Sequence, residues 1–185
     1  MRKLILVLFA FLIIPLYANS QCTKDKYSGL SYPDSFNNWE RSDIIDLEEK
    51  YSGYGTYADY DSDKLHATLF IYSAGLSSVD ITDIEKDYKD FCSEIKNIVS
   101  KGIYSDVVPP QKDSAIIINN DIKVINAYLE YTIKGTSYGS FYFNAAVKNH
   151  FVKVRLSMPL SIVREKKSFA IDFVKELYKR IAECK

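Results

Sequence analysis

Phe151-Val152-Lys153-Val154-Arg155-Leu156-Ser157 decides how this chain is read. Val152, Val154 and Leu156 fall on one parity, and Lys153 and Arg155 on the other. That is the two-residue period of a strand with one buried and one wet face, the pattern of an antiparallel sheet. Pro159 cannot donate to a ladder, so the strand stops there. Beyond it Ile162, Phe169, Phe173, Leu177 and Ile181 recur at helical spacing, with Lys, Arg and Glu between them. The chain therefore closes with a strand, a proline turn and an amphipathic helix.

Working outward, residues 138–148 read as the hairpin partner of this strand, turning at Asn149-His150. Residues 122–133 form a long strand with Ile125, Ala127, Leu129, Tyr131 and Ile133 on one face. Asn119-Asn120-Asp121 supplies a hairpin turn to a short strand over 114–118. Pro109-Pro110 reads as a break. Ile84, Tyr88, Phe91, Ile95 and Ile98 mark one face of a helix over 83–101, with Asp80 or Thr82 as N-cap and Gly102 as stop. Before Gly75 come strands over 39–47, 54–60 and 65–72, turning at 50–53 and 61–64, after an irregular lead-in over 23–38. Three strands, a helix, four strands and a helix make an α+β domain. Its centre is a mostly antiparallel sheet of about six to seven strands with two main helices packed on it.

The N-terminus carries an address. Arg2 and Lys3 precede an uncharged apolar run from Leu4 to Leu16, and Ala18-Asn19-Ser20 follows. This is the tripartite pattern of a secretory signal peptide over 1–20, leaving 21–185 as a single domain. The expected location is outside the cytoplasm, periplasmic or secreted. The apolar run is too short to span a bilayer comfortably, and no transmembrane segment is expected in the mature chain. Lipid attachment at Cys22 wants a small residue directly before it, where Gln21 stands. The chain has 24 basic and 24 acidic residues and a formal net charge of zero, which gives no field to draw nucleic acid. Of the three cysteines, Cys22 and Cys184 lie at the chain ends, where a disulfide would restrain both. Cys92–Cys184 is the alternative, if both helical stripes face one core. With two histidines and no zinc-like spacing, neither a metal nor a cofactor is expected.

Four features imitate chemistry. Gly135-Thr136-Ser137-Tyr138-Gly139 matches G-x-S-x-G, but a nucleophile elbow leads from a strand into a helix, and here a strand continues. Asp59, Asp61 and Asp63 alternate like a calcium loop, yet Lys64 and Phe70 hold the sixth and twelfth positions, where Gly and Glu are required. Cys92 sits on the apolar helical stripe, where burial suppresses the thiolate. Glu130, within a strand, is expected on the face opposite Leu129, pairing with Lys153 or Arg155.

The closing strand, proline turn and helix resemble the finish of PsbP-like domains. The opening is similar too: Tyr32-Pro33 before Phe36, the Trp39 strand, Gly53-Tyr54-Gly55, and the strand from Leu65 to Tyr72. Small uncharacterised exported bacterial proteins are similar around Gly53-Tyr54-Gly55 and over residues 70–76. The resemblance implies a compact α/β/α fold, a place outside the cytoplasm, and an accessory or binding role with no catalytic residues to carry over. The expected function is thus a non-enzymatic binding or accessory module of the bacterial periplasm or envelope. Its partner would be an envelope protein or a small polar ligand. The alternative is a secreted hydrolase using Ser137 or a carboxylate such as Glu130. The expected partner-binding face is a wet one shared by Tyr128, Glu130, Tyr142, Lys153 and Arg155, joined by Asn144. The 15 tyrosines suit either half-buried strands or an aromatic binding surface.

Overall fold

The strand read first lies at the middle of the sheet. In the computed structural model, which describes residues 22–62, 65–119 and 121–184, β12 (His150–Pro159) pairs antiparallel with β11 (Thr136–Val147) and β7 (Leu65–Tyr72). Beyond β11 come β10 (Ile122–Ile133) and the edge strand β8 (Ser105–Lys112), with β9 (Ile116–Ile118) also on β10. Beyond β7 comes β6 (Thr56–Ser62), which pairs in turn with β4 (Trp39–Arg41) and β5 (Ile45–Asp46); β3 (Ser35–Phe36) is outermost. A separate hairpin joins β1 (Cys22–Lys24) to β2 (Ser31–Pro33). The signal reading over 1–20, and Asp63, Lys64 and Asn120 of the two expected turns, lie outside the described residues.

The fold is α+β with a mostly antiparallel sheet, as the hydrophobic periods require, but the described sheet holds ten strands rather than six or seven. The excess lies where short pieces left no period to read. The lead-in over 23–38 supplies β3, with β1 and β2 in the separate hairpin, the stretch 39–47 divides into β4 and β5, and residues 105–112 add β8. Pro109-Pro110 does not break the chain but lies inside β8. Proline lacks a ladder donor and survives on an edge or at a bulge. Here it has both, since the register against β10 shifts between Tyr128↔Gln111 and Glu130↔Val108, absorbing the two prolines.

The two helices take opposite faces. α2 (Val163–Glu183) buries Phe173, Leu177, Tyr178 and Ile181 against the inward parity of β7, β11 and β12. Trp39 packs on Phe173 at 4.2 Å and on Phe169 at 6.0 Å, and Phe36 stacks on Phe173 at 5.4 Å. Tyr178, fully buried, donates to the Val152 carbonyl. α1 (Ile81–Ser100) packs on β8, β10 and β11, burying Ile84, Phe91 and Ile95. Asp80 caps it, accepting from the Thr82 and Asp83 amides at 2.7 and 3.2 Å, while Asp83 reaches back to the Asp80 amide.

Cys22 and Cys184 form a disulfide, with Cα atoms 6.4 Å apart. Cys92 remains a half-buried free thiol on α1. The helical stripes that carry Cys92 and Cys184 face opposite sides of the sheet, so the alternative pairing has no geometry. Beside this staple, buried Asp25 fastens the β1–β2 hairpin to the sheet. It accepts from the Ser28 amide at 2.6 Å and from the Thr56 hydroxyl at 2.6 Å, and Thr56 contacts the Tyr32 hydroxyl at 2.9 Å.

Candidate functional site

Strand parity puts the polar residues of three central strands under one roof. On the α1 face, the register sets Lys153 between Asn144 and Phe70, and Arg155 between Tyr142 and Thr68. Beside α1, the outward residues of β7 and β12 floor an open cleft of 560 Å³. Phe70, Tyr72, Lys153 and Arg155 line its floor, and Asp87, Phe91 and Glu94 of α1 line one wall.

The opposite wall is the connection between β5 and β6, which carries Leu47, Ser52, Gly53 and Tyr54. Gly53 and Gly55 take φ of 88° and 60°, a region that favours glycine. They also allow close approach. A Cβ on Gly55 would stand 2.0 Å from the Ile71 carbonyl oxygen, and one on Gly53 2.6 Å from the Gly75 nitrogen. Glu48 accepts from the Gly53 and Gly55 amides at 2.8 and 2.7 Å, and these bonds hold its carboxyl below the usual range. The segment is thereby laid on the end of β7, with Tyr54 exposed at the rim.

Asp87 organises the floor. Its carboxylate accepts from the Tyr72 hydroxyl at 2.5 Å, the Tyr142 hydroxyl at 2.7 Å and the Asn144 amide at 2.9 Å, and the Lys153 ammonium lies 3.4 Å away. Burial first, and then the Asp87 charge, pushes both phenols far above the ordinary tyrosine range, so both stay protonated and donate. Lys153 also lies 4.8 Å over the Tyr72 ring. The network fixes the ammonium.

Arg155 is placed differently. Its guanidinium lies 5.6 Å over the Phe91 ring, and among the described residues it forms no ion pair. Neither nearby acid pairs with it. Asp59 accepts from Thr68 at 2.7 Å and faces His66 at 3.4 Å. Glu94 stands exposed at the rim. The cleft thus joins aromatic walls to one committed cation and one uncommitted cation.

The five residues expected to share a wet face do not. Tyr142, Lys153 and Arg155, with Asn144, come together on the α1 face. Tyr128 and Glu130 lie opposite Phe141 and Gly139, which places them on the α2 face. The reason is that Ala127, Leu129 and Tyr131 pack against α1, so the other parity of β10 turns toward α2. Glu130 consequently meets neither Lys153 nor Arg155 and accepts from the Tyr128 hydroxyl at 2.8 Å. Tyr142 is fully buried rather than wet.

Ser137 is exposed in a hairpin. Lys134 and Gly135 turn the chain with φ of 51° and 78°, and the Ser137 hydroxyl lies 3.0 Å from that of Thr132. Gly139, the last glycine of that pattern, serves packing: a Cβ there would stand 2.5 Å from a Val163 methyl and 2.7 Å from the Tyr128 hydroxyl. His150 is bonded to the Lys148 carbonyl at 2.8 Å, and His66 to Asp61 at 2.8 Å. Among the described residues no three His, Cys, Asp or Glu side chains gather as a metal site. A wider hollow of 740 Å³ lies near Asn37, Leu65, Ile162 and Phe169, with the charged Lys166 among its described lining residues.

Sequence reasoning missed Asp87, Phe70 and Phe91 as site residues. A signal for Asp87 existed: it lies three residues after Ile84 and four before Phe91, on the edge of the buried stripe.

No protein-family model and no curated protein matches the chain. Among solved structures, a Pseudomonas aeruginosa protein of unknown function, PA94, aligns at a TM-score of 0.39 and 7% identity, over 84% of this chain and 93% of that one. The solution structure of cyanobacterial PsbP (CyanoP) from Synechocystis sp. PCC 6803 aligns at a TM-score of 0.50 and 13% identity, over 88% of each chain. The domain fold is PsbP-like.

Proposed function

We propose that the chain is an exported, non-enzymatic binding module of the periplasm or envelope, and that it holds a small polar ligand in the cleft between α1 and the β5–β6 connection. One observation carries this reading. The cleft brings aromatic walls to an uncommitted guanidinium, while its most buried carboxylate, Asp87, is consumed by two phenols, an amide and an ammonium. A cleft of several hundred Å³ with apolar walls and a few converging polar groups suits a small ligand. Export is supported by the signal-like residues 1–20, and the Cys22–Cys184 bond suits an oxidising compartment. No helix among the described residues is long and apolar enough to cross a membrane.

The test is a screen of small polar molecules against the nitrogen-labelled protein by NMR. A supporting ligand shifts resonances centred on Phe70, Phe91, Lys153 and Arg155. Ligands that map only elsewhere, or ester turnover abolished by Ser137→Ala, would replace this reading.

A further inference from the structure

Among the described residues, Arg155 is the one cation of the cleft floor with no anion of its own. Lys153 is held by Asp87 at 3.4 Å and by the Tyr72 ring. Arg155 instead rests on the Phe91 face, which restrains its plane and leaves the fork of donors unspent. A planar fork in a half-buried site matches a carboxylate with two parallel hydrogen bonds. Beside it, Phe70 and the exposed Tyr54 offer flat apolar faces on the floor and the rim. Rings stack on such faces whether they are aromatic or sugars with an apolar side. We propose that the cleft binds a small carboxylate carried on a flat ring, with the carboxylate on Arg155 and the ring against Phe70 and Tyr54.

This rests on the cleft being the binding site and adds the charge and shape of what it takes. Glu94 supplies the opposing sign. It is exposed at the rim and forms no ion pair among the described residues, so it repels an incoming carboxylate and discourages dianions. Removing that charge therefore strengthens the interaction rather than weakening it.

The experiment uses four probes: 4-hydroxybenzoate and glucuronate, with their neutral counterparts 4-hydroxybenzamide and glucose. Binding is followed by NMR titration and calorimetry at low and moderate salt. At least one acid is expected to bind in the cleft, about tenfold or more tighter than its neutral counterpart, and to weaken as salt rises. Arg155→Gln should erase that acid-over-neutral preference with the fold retained, and Glu94→Gln should increase it. Which acid binds distinguishes an aromatic source from a sugar source. Equal affinity for acid and neutral probes, or full acid binding by Arg155→Gln, overturns the carboxylate assignment while leaving the cleft as a binding site. Failure of all four probes to shift cleft resonances at about 10 mM, a concentration that would reveal even millimolar affinity, contradicts the carboxylate assignment. If the wider screen is silent in the cleft as well, the cleft reading falls with it.

Discussion

The two faces of one sheet have been put to different uses by the same alternating strands. On the α2 face, Leu69, Phe143, Val154 and Leu156 are sealed, and Trp39, Phe169 and Phe173 close the layer with ring on ring. On the α1 face, the next residues along, Phe70, Asn144, Lys153 and Arg155, meet a helix that packs on β8, β10 and β11, and an open cleft lies beside it. The sealed face is mostly apolar, and its side-chain hydrogen bonds lie at its margins, as between Thr56 and Asp25 and between Tyr128 and Glu130. The half-covered face buries polar groups, and Asp87 accepts from the Tyr72 and Tyr142 hydroxyls and the Asn144 amide nitrogen there. A strand with period two therefore supplies a core and a site in one stroke. The helix that leaves room for a cleft makes the difference.

The largest expected effect falls on the sealed face. Trp39→Ala should cost about 3–5 kcal/mol, since it leaves a cavity between Phe169 and Phe173 that neither ring can fill. Urea denaturation measures it, and a loss below about 1 kcal/mol would mean that this face is not sealed.

A smaller loss is expected beside the cleft. Asp87→Ala strands the buried Tyr142 hydroxyl and the Asn144 amide and should cost about 1–3 kcal/mol, because water reaches the cleft more easily than the core. The same measurement checks it; stability equal to the parent would mean the network contributes nothing.

The alkaline limb is gentler still. Burial raises the Tyr72 and Tyr142 phenols on one face and Tyr60 and Tyr178 on the other. Their folded values lie above the ordinary 10.0, so this contribution is fully present below pH 10 and is lost as pH rises above it, when the unfolded chain releases the protons first. Stability followed against pH should fall above pH 10, and Tyr142→Phe should flatten that decline. An unchanged slope would show that this phenol is not held as described.

Much of the fold was legible because its strongest periods are long. The strand bounds 65–72 and 122–133 coincide with β7 and β10, and the Ile84–Ile98 stripe lies within α1. The short strands were not legible, since two or three residues such as Ser35–Phe36 carry no period. The candidate site was half legible. Lys153 and Arg155 stood out by parity, but which face of β10 joins them is settled by the helix that packs there, and that is tertiary information. Parity alone gives two sets of residues and does not say which set is roofed by which helix. Phe91 reads as part of a helical core stripe and Phe70 only as a strand residue, and the open space beside α1 is what marks both as lining a cleft.

Neighbouring residues of β12 allow the most direct test. Leu156 is fully buried on the α2 face, and Arg155, one residue earlier, lines the cleft. Urea unfolding of Leu156→Ala and Arg155→Ala, compared side by side, reads both faces from one strand. The account predicts a loss of about 2–5 kcal/mol for Leu156→Ala. For Arg155→Ala it predicts less than about 1 kcal/mol, the scale of its stacking on Phe91. Equal losses, or a larger one for Arg155→Ala, would contradict it, because Arg155 would then be part of a second sealed core and no cleft would exist.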